Sequence, residues 1–377
     1  MRLADLTTLR VGGPAELVID CGTREELLAA LRGAWSSGED WLLLGGGSNV
    51  VIADDGFEGT VIRVRTRGID RISSGTPAMR PSSYLGDRAV RLRIEAGEPW
   101  DAVVDHAVGH GWAGIEALSG IPGSSGAAPI QNIGAYGQEL ASSLIAIEFL
   151  DYLTGELERI PASSLGLGYR TSLLKQGKQG LVISIELELF EGISGGSALS
   201  APVAYDQLAS ALGVRIGDRV PLDELRATVL GLRAAKGMLL DSNDRDSFSA
   251  GSFFTNPIVS ENFARGLPAA TPRWPTSPED RDVAVPLGEA PAIPHTAGEY
   301  QVKLSAAWLI EKSGVSRGFA LPGSHAAVSS RHTLALVNTG GATAEEIVEL
   351  ARYIQTRVFA EFGVRLQPEP VLVGLSL

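Results

Sequence analysis

The stretch from Ile121 to Gly137 constrains the fold of this chain more than any other part of the sequence. It reads IPGSSGAAPIQNIGAYG, which is too rich in glycine and proline for a helix and too apolar for a solvated loop. Glycine lets the backbone approach a ligand closely, and consecutive N–H groups in such turns form an anion-binding concavity. The run therefore predicts a site for a large, flat, phosphate-bearing cofactor, with a structural glycine loop as the alternative.

Length and charge narrow the class of protein. A chain of 377 residues predicts two or three domains. Its 32 basic and 44 acidic side chains give a net charge of −12, which argues against a general nucleic-acid or membrane-surface binder. Cys21 is the only cysteine, so no intrachain disulfide can form and a reducing cytoplasm is expected. We expect no signal peptide and no membrane span, because no apolar run is long enough.

A second glycine-rich loop, Gly45–Asn49, follows the strand-like segment Trp41–Leu44. A Rossmann site requires a helix directly after such glycines, so that the N-terminus of the helix meets the pyrophosphate. Here Val50–Ile52 continues as a strand instead. The pattern predicts that the N–H groups of the loop itself bind phosphate.

The rest of the chain alternates between strand and helix patterns. A helix is predicted after an N-cap at Thr23, and the last long helix should end at Gly363. The segment Pro268–Pro294 is predicted to be either a mobile flap or a disordered insertion, and we favour the insertion. Residues 73–77 and 81–83 are predicted to be loops. The predicted strands are Ala15–Asp20, Arg91–Ala96, Leu144–Leu150, Leu181–Leu189, Leu334–Val337 and Val371–Val373; the other predicted helices are Pro99–Gly109, Val220–Leu232, Ala306–Ile310 and Glu345–Phe362.

One pair of histidines could suggest a metal site. His106 and His110 are four residues apart on a predicted helix, which places them on one face. No acid nearby has the spacing of a third ligand. We interpret both as surface histidines and expect no metal.

Three further residues have side chains suited to catalysis. Arg170 lies beside an aromatic residue in the turn GYRTS and could hold an oxyanion. Ser252 precedes two phenylalanines in AGSFFTNP, where a hydroxyl in a dry pocket could deliver a proton. Glu369 stands between two prolines, which fix its backbone. Each residue taken singly also has a non-catalytic interpretation. Arg170 could be a surface arginine in a loop, Ser252 part of a core strand and Glu369 an exposed acid.

Together these segments resemble the UDP-N-acetylenolpyruvoylglucosamine reductase family, the flavin enzymes of bacterial peptidoglycan precursor synthesis. The similarity runs nearly end to end, from TTLRVGG at residues 7–13 through both glycine loops to Pro368-Glu369. Tyr205 is similar to the tyrosine of the subclass with an extra substrate-gripping loop.

The resemblance implies an α+β architecture with the FAD-binding fold of vanillyl-alcohol oxidase. Two subdomains would clasp FAD, and a third α/β domain would bind the substrate. The implied boundaries are 1–67 for the first subdomain, joined by the C-terminal strand at 366–377, then 68–235 for the second and 236–365 for the substrate domain.

The resemblance also implies the reaction and its residues. NADPH would reduce tightly but non-covalently bound FAD, and flavin N5 would pass a hydride to the enolpyruvyl methylene carbon of UDP-N-acetylglucosamine enolpyruvate, giving UDP-N-acetylmuramate. Arg170 and Glu369 would stabilise the enolate-like charge, Ser252 would supply the proton, and Tyr169, Tyr205, Lys236 and Asn256 would bind substrate. The implied FAD contacts are Gly45, Gly46, Gly47, Ser48, Asn49, Ile121, Pro122, Gly123, Ser124, Ser125, Gly126, Ala127, Ile130, Asn132, Ile133 and Gly134.

Two other functions remain open at this point. One is a flavin-dependent sugar or alcohol oxidase of the same fold class; many such oxidases tether FAD through a histidine in the first phosphate loop, but no histidine occurs between Arg2 and Asp105. The other is a non-catalytic flavin-binding module, which would have no need of Arg170, Ser252 and Glu369. We expect a cytoplasmic monomer whose partners are the small-molecule substrates.

Overall fold

The N-terminal part of the chain is a parallel sheet covered by one long helix. A computed structural model describes residues 1–73, 88–191, 193–194, 197–276 and 300–377. The sheet has the order β1-β4-β2, and its helix begins at a capping box formed by Thr23 and Glu26 and ends at Gly38 in the left-handed region. The elements are β1 (Ala15–Cys21), α1 (Arg24–Ser37), β2 (Trp41–Leu44), β3 (Val50–Ile52) and β4 (Phe57–Val64).

The middle of the chain is built on a larger antiparallel sheet, with strand order β11-β10-β12-β6-β5 and β7 beside β12. Its elements are β5 (Ile69–Ile72), β6 (Arg88–Glu95), α2 (Trp100–Gly109), β7 (Trp112–Ala113), β8 (Gly134–Ala135), β9 (Gln138–Glu139), β10 (Leu144–Asp151), β11 (Leu157–Pro161), β12 (Gly180–Glu191), β13 (Ile193–Ser194), β14 (Ser197–Ala198), α3 (Asp206–Leu212) and α4 (Leu222–Ala235).

The C-terminal part has two three-stranded antiparallel sheets, β15-β20-β19 and β16-β18-β17. The last strand, β21, leaves this part and pairs in parallel with β3, with Val371 opposite Val50. The elements are β15 (Ser249–Ser252), β16 (Ile258–Ser260), α5 (Glu261–Arg265), β17 (Arg273–Thr276), β18 (Gln301–Leu304), α6 (Ala306–Lys312), β19 (Ala326–Val328), β20 (Ala335–Asn338), α7 (Ala344–Phe362) and β21 (Val371–Val373). Short 3-10 turns lie at Leu3–Leu6, Glu116–Leu118, Ser125–Ala127, Leu140–Ser142, Ala162–Ser164 and Arg245–Ser247.

Buried apolar residues join these parts. Leu31 of α1 and Ile62 of β4 belong to the same buried cluster as Ile183 of β12, so the first sheet packs against the second. In the C-terminal part, Ile347 and Ile354 of α7 share a cluster with Phe253 and other buried residues. Of the helices in the described ranges, none combines the length and the apolarity needed to cross a membrane.

Most predicted elements are confirmed to within a few residues, and two predictions were wrong. α4 starts at Leu222 rather than Val220, because Val220 exchanges backbone and side-chain hydrogen bonds with Ser200 in an extended conformation. Within the predicted insertion, residues 273–276 form β17, paired with β18. Residues 277–294 of that segment, together with most of the predicted loops at 73–77 and 81–83, lie outside the described residues.

An aspartate from the loop that follows β3 caps the longest helix of the C-terminal part. The Asp54 carboxylate accepts hydrogen bonds from the backbone N–H groups of Ala344 (2.9 Å) and Glu345 (3.1 Å). These are the first two residues of α7, whose N–H groups have no partner within the helix. A negative charge there is also stabilised by the helix dipole. The contact therefore holds α7 against the loop that follows β3.

Replacing Asp54 with alanine should lower the free energy of unfolding by about 1–2 kcal/mol, the usual cost of losing a cap with a favourable charge. Urea denaturation followed by circular dichroism measures it. Asp55→Ala is the matched control, because Asp55 is the neighbouring exposed acid and makes no hydrogen bond with described residues. Equal losses in the two variants would contradict the capping role.

Candidate active site

The three predicted catalytic residues line one cavity. Its volume is about 280 Å³, and Arg170, Ser252 and Glu369 all contribute to its wall. The Gly45–Asn49 loop and most of the long glycine run form other sides of the same wall. Arg170 and Glu369, which are 199 positions apart in the sequence, are thus brought together.

A bulge in β15 positions Ser252. Gly251 has a φ of +74°, in the left-handed region that favours glycine, and the pairing of β15 with β20 shifts between Ser249 and Ser252. Such bulges redirect a side chain at a strand end. The two residues that follow, Phe253 and Phe254, are buried in the core and anchor the strand behind the hydroxyl.

Glu369 is held between the strand end that carries Ser252 and the Gly45–Asn49 loop. Its backbone N–H donates to the carbonyl of Phe253 (2.8 Å), and its carbonyl accepts from the Asn49 side chain (3.3 Å). Two residues later, the Val371 N–H donates to the Asn49 carbonyl (3.0 Å). Backbone hydrogen bonds therefore place the carboxyl in the cavity.

Arg170 lies in a tight turn fixed to the glycine run. Its φ is +53°, and Gly168 and Thr171 exchange backbone hydrogen bonds across the turn. Its guanidinium donates to the carbonyl of Gly134 (3.0 Å). The Ser172 hydroxyl also donates to the carbonyl of Ile130 (2.5 Å), so the turn and the run form a single support.

The carboxyl of Glu369 and the guanidinium of Arg170 form a largely buried pair of ionisable groups. Arg170 Nε lies 3.2 Å from Glu369 Oε1, a charge contact whose angle does not make a hydrogen bond. Gln131 Nε2 donates to the same oxygen (3.1 Å). Burial raises the pKa of Glu369, and Arg170, Lys175 and the Gln131 bond oppose this only in part. The carboxyl therefore retains its proton to a higher pH than a free glutamate.

The two glycine loops fit the phosphates of a dinucleotide such as FAD. The backbone N–H groups of residues 45–48 donate no hydrogen bond to any described protein atom, so they can bind phosphate oxygens. A second cavity of about 180 Å³ shares Leu43, Gly45 and Ser124 with the first and continues toward the apolar residues Phe149 and Leu181. The joined cavities suit an elongated cofactor.

Arg233, which sequence reasoning did not select, gives independent support for a bound group. It lines the cavity and is 8% exposed, and its Nε has no hydrogen-bond partner among the described residues. A buried donor without a partner is costly, and a bound ligand can remove that cost. Its position three residues before Lys236, near the end of α4, was the available sequence signal.

Most predicted cofactor contacts line the first cavity, and three do not. Gly126 lines the second cavity, whereas Ser125 is buried with its hydroxyl donating to the Glu98 carbonyl (3.0 Å). The Asn132 side chain donates to the Gly168 carbonyl (3.1 Å), which supports the Arg170 turn. The residues that line the first cavity are Gly45, Gly46, Gly47, Ser48, Asn49, Ile121, Pro122, Gly123, Ser124, Ala127, Ile130, Ile133 and Gly134.

The predicted substrate residues form two groups outside the wall of the first cavity. Tyr169 has the Lys303 ammonium 4.7 Å from its ring centroid, and Asn256 accepts the N–H of Ala306 (3.0 Å). In the second group, the rings of Tyr205 and Tyr136 are 5.9 Å apart, and the Lys236 ammonium lies 5.4 Å from the Tyr136 ring.

Two polar residues near Glu369 were also not selected from the sequence. Gln131 and Lys175 approach each other (Lys175 Nζ to Gln131 Oε1, 3.4 Å), and Asn49 Nδ2 donates to the same Gln131 oxygen (3.4 Å). The sequence signal for Gln131 was its position inside the glycine-rich run Ile121–Gly137. The only sequence signal for Lys175 was its position five residues after Arg170.

The two histidines on α2 stack on each other. The rings of His106 and His110 are 4.2 Å apart, and Trp112 stacks on His110 at 4.7 Å. No group of three or more His, Cys, Asp or Glu side chains within the described ranges could hold a metal ion.

A cavity lined both by unpaired backbone donors and by side chains that can transfer protons suits a flavin and its substrate. The class of protein that this arrangement defines is the FAD-dependent oxidoreductases. Residues 15–161 match the model of an FAD-binding domain, and residues 243–373 match that of the C-terminal domain of UDP-N-acetylenolpyruvoylglucosamine reductase.

Whole-chain relatives narrow the class further. The UDP-N-acetylenolpyruvoylglucosamine reductase of Leifsonia xyli is 57% identical over 383 residues, covering 100% of this chain and 98% of its own. That of Salinispora arenicola is 46% identical, covering 100% and 95%. The crystal structure of the reductase from Thermus caldophilus has 26% identity and a TM-score of 0.59, covering 99% of this chain and 97% of its own. The chain belongs to the UDP-N-acetylenolpyruvoylglucosamine reductase family.

The predicted fold class is therefore confirmed, as is FAD as the cofactor. The chain has an α+β FAD-binding fold followed by a separate C-terminal domain. The exact domain boundaries remain a prediction.

Replacing Gly46 with alanine should weaken FAD binding at least tenfold, or about 1.4 kcal/mol. A Cβ at this position would lie 2.7 Å from the Cα of Gly123, so the two phosphate loops would have to separate. Fluorescence titration of the apoprotein with FAD measures the affinity. Gly33→Ala on α1 is the control, because its Cβ would meet nothing within 4 Å. Unchanged FAD affinity in Gly46→Ala would contradict this reading of the loops.

Proposed function

We propose that this chain catalyses the NADPH-dependent, FAD-mediated reduction of UDP-N-acetylglucosamine enolpyruvate to UDP-N-acetylmuramate. The reaction is a step in the synthesis of peptidoglycan precursors for the cell wall. The observation that carries the proposal is the meeting of Arg170, Ser252 and Glu369 in one cavity bounded by both glycine loops. Membership of the reductase family supports the same reaction.

The cofactor supplies the redox chemistry. Held by the two glycine loops, FAD would supply hydride transfer from NADPH to the methylene carbon of the enolpyruvyl group through its N5. The FAD is held non-covalently in this proposal, because the Gly45–Asn49 loop contains no histidine to tether it. Residues of the chain position the substrate, stabilise the negative charge that develops on it and donate the proton that it needs.

Arg170 and Glu369 act on the substrate's carboxylate. The guanidinium of Arg170 binds that carboxylate and stabilises the negative charge that develops as the hydride arrives. Preorganised charge in a closed site is usually the largest single catalytic contribution. A deprotonated Glu369 would repel the same charge, so its raised pKa favours the protonated form as the working state.

Ser252 completes the reduction by donating a proton to the carbon that bears the carboxylate. Ser252 lines the cavity, and the two phenylalanines that follow it are buried. A positioned proton donor of this kind contributes by general acid catalysis.

The rest of the substrate extends toward the two outer groups. Lys236 and Tyr205 bind its diphosphate, for which a cation beside a phenol provides charge and a hydrogen bond. Tyr169 and Asn256, which lie outside the wall of the first cavity, bind another part of the substrate. We further propose a cytoplasmic monomer with the boundaries 1–67 joined by 366–377, 68–235 and 236–365.

An anaerobic titration tests the function. The purified protein should be yellow, lose its colour on addition of NADPH, and regain it when the enolpyruvyl substrate is added without oxygen. Mass spectrometry should then identify UDP-N-acetylmuramate. Recolouring only on admission of oxygen would favour a sugar or alcohol oxidase instead, and no bleaching at all would favour a non-catalytic flavin-binding module.

A further inference from the structure

A third cavity lies directly behind the two glycine loops. Its volume is about 390 Å³, within the range of small-molecule sites. Gly45, Gly46, Gly123 and Ser124 line both this cavity and the active-site cavity, so they form a shared wall. Arg170, Ser252 and Glu369 are not part of the third cavity. It therefore adjoins the cofactor loops but contains none of the three candidate catalytic residues.

Four of the residues that line this cavity are arginines. Arg63, Arg65 and Arg67 alternate at the end of β4 and beyond, which places their side chains on one face of an extended segment. Arg10 enters from the N-terminal segment, and Asp5 is the one acidic residue of the lining. Such a concentration of positive charge contrasts with the net charge of −12 of the whole chain.

Most of this positive charge has no protein partner. Arg63 is paired with Asp20 (2.8 Å). The guanidinium groups of Arg10, Arg65 and Arg67 make no ion pair with any carboxylate in the part of the chain that the structure describes. Three exposed guanidinium groups around one concavity form a strong field for an anion, and each can bind a phosphate through two hydrogen bonds.

Arg10 is preorganised for binding. Its φ is +58°, a conformation unusual for a side-chain-bearing residue, and the Asn338 side chain donates to its carbonyl (3.1 Å). Its guanidinium stacks 3.5 Å above the ring of Phe248. Stacking fixes the plane of the guanidinium without using its N–H donors, so they remain available to a ligand.

We propose that this arginine cavity binds a small anion that carries two neighbouring phosphate groups, through Arg10, Arg65 and Arg67. Such a ligand matches the three unpaired cations in charge. It binds on the side of the glycine wall opposite the active site and does not compete with the sugar nucleotide.

Isothermal titration calorimetry with inorganic pyrophosphate tests the proposal on the FAD-loaded protein at constant ionic strength. Saturating UDP-N-acetylmuramate is present, so that the diphosphate site near Lys236 is occupied. One molecule should bind per chain, and the double variant Arg65→Gln/Arg67→Gln should bind at least tenfold more weakly. Arg32→Gln, an exposed arginine on α1 outside the cavity, is the matched control and should bind as the unaltered protein does.

Three results would overturn the proposal: no saturable binding of pyrophosphate, equal affinity in the double variant, or loss of FAD from the double variant, which would assign these arginines to the cofactor site. A separate titration with UDP-N-acetylmuramate alone tests the proposed function. The inference rests on that function in one respect only: UDP-N-acetylmuramate is used to occupy the substrate diphosphate site near Lys236. If that ligand fails to bind, the proposed function is contradicted, while the comparison of arginine variants still decides the anion site.

Discussion

Replacing Ser252 with alanine is expected to slow reduction of the enolpyruvyl substrate by about 10³-fold or more. The rate at which NADPH reduces the flavin should stay nearly unchanged. The proton is needed only after the hydride has reached the substrate, so only the second half-reaction should depend on the hydroxyl. The bulge at Gly251 presents that hydroxyl to the cavity, and alanine keeps the bulge and the volume almost intact. Anaerobic stopped-flow spectroscopy measures the two half-reactions separately.

Ser36→Ala is the control for this variant. Ser36 also carries a hydroxyl, which donates to the Gly33 carbonyl on the exposed face of α1 (2.9 Å), far from the cavity in the fold. Both of its half-reactions should match those of the unaltered protein. Equal slowing of both half-reactions in Ser252→Ala would reject Ser252 as the proton donor and point to a distorted cofactor site.

Removing the carboxyl of Glu369 is expected to slow the second half-reaction by about 10²-fold in Glu369→Ala. Glu369→Gln should recover most of that loss, since its amide can donate a hydrogen bond as the protonated acid does. The pKa of Glu369 is raised by burial, so its protonated fraction falls as the pH rises through that raised value. The rate of the unaltered protein should fall over the same window, and the glutamine variant should show no such decline.

The opposite pH dependence would contradict this assignment. A rate that increases as Glu369 loses its proton, with glutamine as damaging as alanine, would mean that the carboxylate is the working form and acts through Arg170. Glu188→Gln is the control, because Glu188 is similarly buried and paired with Arg91 (2.9 Å) in the central sheet. It should leave the pH profile of the second half-reaction unchanged.

Local chemistry made much of the fold predictable. The capping residues Thr23 and Gly363 and the glycine loop between two strands are signals that depend on neighbouring residues only, and the structure has them as predicted. The candidate catalytic residues were recognisable because glycine, proline and aromatic residues around them restrict the backbone. Their convergence could be expected only from the family resemblance, since no spacing rule links Arg170 with Glu369.

The features that were missed depend on tertiary contacts. Val220 has good helix neighbours, but its hydrogen bonds to Ser200 keep it extended. Residues 273–276 include a proline, which discourages a strand, yet they pair along β18 at the edge of a small sheet. Arg233 is an ordinary helical arginine in the sequence, and only the fold shows that its Nε is buried without a partner.

The return of β21 to β3 has a consequence for synthesis of the protein. A ribosome produces both glycine loops long before it produces Glu369 and the strand that pairs with Val50–Ile52. A nascent chain therefore cannot close its cofactor site until residues 369–373 have been synthesised. A message truncated before the codon for Glu369 would yield a polypeptide that has both glycine loops but lacks one of the residues that line that site.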